Sequence, residues 1–231
     1  MVPNWRFDLM GLSHSPRIVT DGLVFCVDAA NKRSYPGAGT TWTDLTASKN
    51  NGTLTNMDGS NFSNDGAGSL IFDGTNERVT CGNDTSIQIT EGTISAWFAA
   101  NNGNTGYRGI IAKQNAWALF VYNDKLNTYD WGNSARRETD IDVGNGAWNN
   151  AVMTFTETVG SPSNNAKIYL NGNLVLTTTV KHFSNTVTLM IGEANSNQYF
   201  SGKIAQASVY NRELTAVEVL QNYNATKGRF E

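Results

Sequence analysis

FSGKIAQASVYNRELTAVEVLQNYNATKGR, residues 200–229, is the stretch on which the fold turns. Residues 204–210 lean apolar and end on Val209 and Tyr210, which predicts a packed strand. Asn211-Arg212 breaks it. Thr215 then offers a hydroxyl to the first free backbone N–H groups of a helix, and Glu218, three residues on, caps back. Leu214 before the cap and Val219 after it suit a hydrophobic staple. Val219, Leu220 and Tyr223 recur at helical spacing and predict one apolar face. Lys227-Gly228-Arg229 predicts the stop, a glycine with two cations at the negative end of the helix dipole. A lone helix after a strand-like chain must cover its apolar face on a sheet.

Working back from that unit, the chain reads as many short strands. Strands are expected at 22–28, 70–72, 77–81, 93–99, 107–112, 116–122, 126–131, 137–143, 148–156, 166–170, 174–180 and 187–191. Asn171-Gly172 is the strongest hairpin signal, because both residues tolerate positive φ. About a dozen strands at short spacing argue for a two-sheet antiparallel sandwich. The 231 residues fit one large all-β domain, long enough to hide roughly 70% of the unfolded surface.

Charge and composition exclude several classes. Only 16% of residues are charged and the net charge is −3, so the basic face that nucleic-acid binding needs is not expected. No apolar run reaches about 18 residues, so no membrane insertion is expected. Residues 1–17, MVPNWRFDLMGLSHSPR, lack the charged start and apolar core of a standard secretory signal. Cys26 and Cys81 form no metal or redox spacing, and read as buried thiols sooner than as a disulfide.

Two units are therefore expected: an arm over 1–20 and a domain over 21–231. Trp5, Phe7, Leu9, Met10 and Leu12 are scattered through the arm without periodicity. They read either as packing on their own domain or as a docking segment for another subunit, and docking is preferred because exposed aromatics seek a partner surface.

The ordered series GLVFCVDAAN (22–31), SYPGAGTTWTDL (34–45), NNGTL (50–54), LIFDG (70–74), TISAWF (93–98), KIYLNGNLV (167–175) and GKIAQASVYNREL–TAVEVLQNYNATKGR (202–229) resembles laminin-G-like domains of the concanavalin-A-like lectin/glucanase superfamily. The resemblance implies an all-β jelly-roll sandwich of two curved antiparallel sheets with one short C-terminal helix. Within that family, SPRIVTDGLVF (15–25), SYPGAGTTWTDL and VLQNYNATKGR look most like modules in virion proteins of tailed bacteriophages.

What the resemblance implies for function divides into three readings. The first is a non-enzymatic virion surface protein, a capsid decoration or a tail or fibre component. It would be made in the host cytoplasm, held to other virion proteins through the arm, and would present the jelly roll to host or mucus glycans. The second is a carbohydrate-binding lectin domain of a bacterial surface or secreted protein. The third, most remote, is a glucanase.

The glucanase reading rests on Glu138-Thr139-Asp140-Ile141-Asp142, which looks like the acidic signature of the glucanase branch, with Glu138 and Asp142 as the outer pair. A retaining mechanism needs two carboxyl groups about 5–5.5 Å apart. Residues four apart on a regular strand are separated by roughly 13 Å, so a bulge would be required. His14 and His182 sit in no nucleophile or zinc motif, and no Gly-x-Ser-x-Gly elbow occurs.

Many relatives bind calcium at the sheet rim. Here Ala205 and Gln206 stand where relatives often carry an acidic residue. Calcium stays open, with Asp28, Asp44, Asp58 and Asp73 as loop oxygens and no ligand fixed. For sugars, which aromatic faces hold, the candidates are Tyr107, Trp117, Tyr129 and Trp131 with Asn133 and Arg136; the patch 129–133 is preferred, and alternation leaves the face of Trp131 open. A homo-oligomer also remains open.

Overall fold

The computed structural model describes residues 16–156 and 163–231. Among them, sixteen strands form two antiparallel sheets. The first sheet holds β1 (Leu23–Asp28), β4 (Phe62–Ser63), β5 (Ser69–Asp73), β7 (Gly92–Ala100), β12 (Trp148–Phe155), β13 (Ala166–Leu170), β14 (Asn173–Thr178) and β16 (Ser201–Tyr210). The second holds β2 (Thr41–Trp42), β3 (Gly52–Thr55), β6 (Arg78–Thr80), β8 (Tyr107–Lys113), β9 (Trp117–Tyr122), β10 (Lys125–Asp130), β11 (Ala135–Asp142) and β15 (Leu189–Ile191). Their spatial orders are β14-β13-β12-β7-β16-β5-β4, with β1 also on β16, and β11-β10-β9-β8-β15-β6-β3-β2. This is the expected jelly-roll sandwich.

Alternation along each strand decides which residues fill the space between the sheets. In β12, Ala151, Met153 and Phe155 face the core while Val152 faces out. In β9, Leu119 and Val121 face in, and Ala118 and Phe120 face out. Phe25, Trp42, Phe72, Phe98, Phe155 and Phe200 are fully buried, and Phe200 packs edge-on against both Phe72 and Phe98. Asn171-Gly172 turns the β13–β14 hairpin with φ of 51° and 80°, as both residues permit.

The closing helix α1 (Ala216–Thr226) starts as its sequence demands. Thr215 Oγ1 accepts from Glu218 N, and the Glu218 carboxylate accepts from Thr215 N at 2.8 Å, a complete capping box. Val219 and Leu214 meet Val152, Tyr169 and Tyr210 on the outer face of the first sheet. Tyr223 and Phe230 stack on Trp97 there, with ring centroids 5.7 and 4.0 Å away.

Two details of the end differ from expectation. Leu220 is 46% exposed, because the buried stripe runs through Val219 and Tyr223 and turns Leu220 toward solvent. Gly228 adopts no positive φ: α1 passes into a 3-10 turn over Lys227–Arg229, and Arg229 forms a two-pronged ion pair with Asp28 at 2.8 and 3.0 Å.

Arg17 and Val19 lie along this helix. Gln221 donates to Arg17 O, Val19 N donates to Asn222 Oδ1, and Tyr210 Oη donates to Val19 O. Trp5, Phe7, Leu9, Met10 and Leu12 lie outside the described residues. Cys26 and Cys81 are buried and free; burial pushes the Cys26 thiol up to about 12 and raises Cys81 as well.

Candidate functional site

The outward face of the second sheet carries an aromatic floor. Tyr107 on β8 lies opposite Tyr122 on β9, and Gly109 opposite Phe120. The β9–β10 turn, Asn123-Asp124, has φ of 48° and 62°, the paired positive values of a tight hairpin. That turn sets Phe120 opposite Asn127, two residues from Tyr129. Four rings then meet around Tyr107: Phe120 at 5.3 Å, Tyr122 at 5.0 Å, Tyr129 at 6.0 Å, and Trp131 beyond Tyr129 at 5.2 Å. Burial pushes the Tyr107 hydroxyl above its ordinary pKa, and the neighbouring Tyr129 adds to the shift, so it remains a neutral donor at pH 7.

Tyr107, Phe120, Tyr129 and Trp131 floor a cleft of about 390 Å³. Its rim is made of amides and a hydroxyl: Gln114 and Asn115 from the β8–β9 turn, Ser134, and Asn195 and Gln198 from the segment after β15. That segment lies close because position 109 is glycine. A Cβ there would stand 2.1 Å from Ala194 N and 2.2 Å from the Glu193 carbonyl carbon, and Gly109 N donates to Gln198 O.

The turn that carries Trp131 is pinned by the buried carboxylate of Asp130, which accepts from Gly132 N, from Lys181 N, from Asn133 Nδ2 and from Arg137 at 2.6 Å. Burial alone would raise the pKa of Asp130; the donors from Asn133, Lys181 and Arg137 outweigh it and hold the pKa below the usual carboxylate value.

The structure thus brings Tyr107, Tyr129 and Trp131 together in the cleft and separates the other three candidates. Trp117 does not line it: β9 points it into the core, fully buried, its indole N–H without a hydrogen-bond partner. Asn133 is exposed and spends its amide donor on Asp130. Arg136 lies at the edge, its guanidinium 3.8 Å above the Tyr122 ring and 2.6 Å from Glu138. Phe120 and the amide rim were missed. Alternation in WALFVY (117–122) places Phe120 and Tyr122 on one face, so they could have been found. No local pattern announces the approach of residues 194–198.

The acidic strand does contain the required bulge, at Asp140, where φ is 59° and the β10–β11 register shifts. Its carboxylates are engaged elsewhere: Glu138 meets Arg136 and Lys125, Asp140 meets Lys125 at 3.0 Å, and Asp142 accepts from Gly144 N. The Lys125 ammonium lowers the pKa of Asp140, the middle residue of the three.

Calcium fits poorly. Asp28 is paired to Arg229, Asp44 accepts from Cys26 N and Asn50 N, and Asp58 and Asp73 cap their own turns. Among the described residues no three acidic, His or Cys groups converge as metal ligands.

Residues 73–220 match a laminin-G-like family described as the concanavalin A-like lectin/glucanases superfamily. No curated protein sequence matches the chain. Similar solved structures include domain 4 of AbnA, a GH43 extracellular arabinanase from Geobacillus stearothermophilus, in complex with arabinotriose. It is 16% identical with a TM-score of 0.64, over 87% of this chain and 98% of that one. The binding domain of Paraclostridial Mosquitocidal Protein 1 is 15% identical with a TM-score of 0.63, over 88% of this chain and 52% of that one. Trypanosoma rangeli sialidase in complex with sialic acid is 13% identical with a TM-score of 0.66, over 92% of this chain and 34% of that one. The chain therefore spans about half the length of the mosquitocidal binding domain and about a third of the sialidase.

Proposed function

The chain belongs to the concanavalin A-like lectin/glucanases superfamily, and from that premise we propose that it is a carbohydrate-binding module using the aromatic cleft on the outward face of its second sheet. One observation carries the reading. Tyr107, Tyr129 and Trp131, with Phe120 buried beneath them, form an aromatic floor that stays open among the described residues and is rimmed by side-chain amides. Apolar sugar faces stack on such rings while hydroxyls meet the rim. The arabinotriose bound to the similar arabinanase domain supports the same class of ligand.

The module binds sugar and does not cleave it, since the carboxylates of β11 are ion-paired or turn-capping. On this reading binding needs no metal and should survive a chelator. Its place is the surface of a tailed-phage virion, made in the host cytoplasm and attached to other virion proteins through residues 1–20. The phage-like wording of residues 15–25 and 34–45 supports this. So does the position of Arg17 and Val19 against α1, on the first sheet's outer face and away from the cleft.

A glycan array followed by calorimetry on the hits tests the binding reading. Trp131→Ala should weaken a bound glycan by at least about tenfold. An array on which nothing binds overturns it. Electron cryomicroscopy of the native particle tests the location: density for the jelly roll on a regular lattice is expected, and a chain that joins no particle points to the bacterial surface lectin.

A further inference from the structure

Resting on the carbohydrate reading above, we propose that the cleft selects uncharged sugar chains and rejects sialylated or uronic ones. Among the described residues that line it, none carries a charge. Gln114, Asn115, Asn195 and Gln198 each offer a donor and an acceptor, which matches sugar hydroxyls, themselves both donors and acceptors. A carboxylate accepts only, so it can use the amide donors but leaves the amide oxygens of the rim unmatched.

The arginines nearby are committed. Arg136 is stacked on Tyr122 and bonded to Glu138, so recruiting it would break both contacts. Arg108 donates from Nε to Thr105 O and from Nη1 to Tyr199 O, which fixes its guanidinium on backbone. Arg78 lies 3.6 Å from Glu193, the residue just before the cleft wall at Ala194. Two acids lie with these arginines: Glu193, paired with Arg78, and Glu138, paired with Arg136 and Lys125. An anionic sugar entering here gives up hydration and finds no cation in the lining of the cleft.

The test uses the full chain on an array that pairs each neutral pentose or hexose oligosaccharide with its sialylated or uronic counterpart on the same core. Hits confined to the neutral members are expected, with the acidic counterpart of any hit weaker by about tenfold or more in calorimetry. Asn195→Arg, at an exposed rim position, should then recover the acidic counterpart in a manner that salt abolishes. Acidic members that bind as tightly as their neutral partners overturn this proposal and leave the carbohydrate reading standing. A blank array across both classes overturns both.

Discussion

Gly109 shows how one residue shapes the site. Its backbone does not need positive φ, so the constraint is contact alone: Ala194 N and Glu193 C occupy the space a methyl group would take. Gly109→Ala forces the segment 193–198 outward, and over-packing of this kind costs about 1–3 kcal/mol. Urea unfolding should show a lower midpoint with the slope unchanged, and glycan affinity should fall because Asn195 and Gln198 move with the wall. An unchanged midpoint would mean the wall yields freely. Tyr107, Tyr129 and Trp131 were legible at this scale because aromatic residues clustered at strand ends are visible in sequence. Trp117 was misplaced for an equally physical reason. The β8–β9 turn sets its parity, and its neighbour Ala118 takes the outer face.

At the scale of elements, the closing helix was the most legible part of the chain because its signals are local. Thr215, Glu218 and the Leu214–Val219 pair act within one turn, and all appear as the sequence requires. Arg212 deepens the cap: its guanidinium meets Glu218 at 2.6 Å, and this bond holds the Glu218 pKa down at about 2. A carboxyl with a depressed folded pKa contributes stability that is present above its unfolded value, near 4.5, and is lost as pH falls toward about 2. Glu218→Ala should therefore lower the thermal midpoint at pH 7 and differ little from the parent near pH 2. Equal losses at both pH values would show that the box acts through packing alone. Elements fixed by distant partners were less legible. The two-residue strands β2 and β4 have no period to read and exist only because β3 and β5 lie beside them. The same holds for the cleft wall, which arrives from about 85 residues beyond Gly109 in the chain through the pairing of β15 with β8.

The whole molecule separates two surfaces. Arg17 and Val19 run along α1 on the outer face of the first sheet, and the aromatic cleft opens on the outer face of the second. The packed core of Phe25, Phe98, Phe155 and Phe200 lies between them, so the proposed attachment through residues 1–20 and the proposed sugar site would not compete for one face. Alternation explains why a sandwich permits this: every strand gives one set of side chains to the shared core and leaves the other for an outward task. Deleting residues 1–15 keeps the bonds of Arg17 and Val19 to α1, so the domain should keep its thermal midpoint. Glycan affinity, measured by calorimetry on the truncated chain, should match that of the full chain. Attachment to the virion, measured by co-sedimentation with the particle, should be lost. Truncation that removes sugar binding while the midpoint holds would join the two functions on one surface and sink their separation. Truncation that leaves co-sedimentation intact would move the attachment site onto the domain itself, where exposed Leu174, Val217 and Leu220 would be the next residues to change.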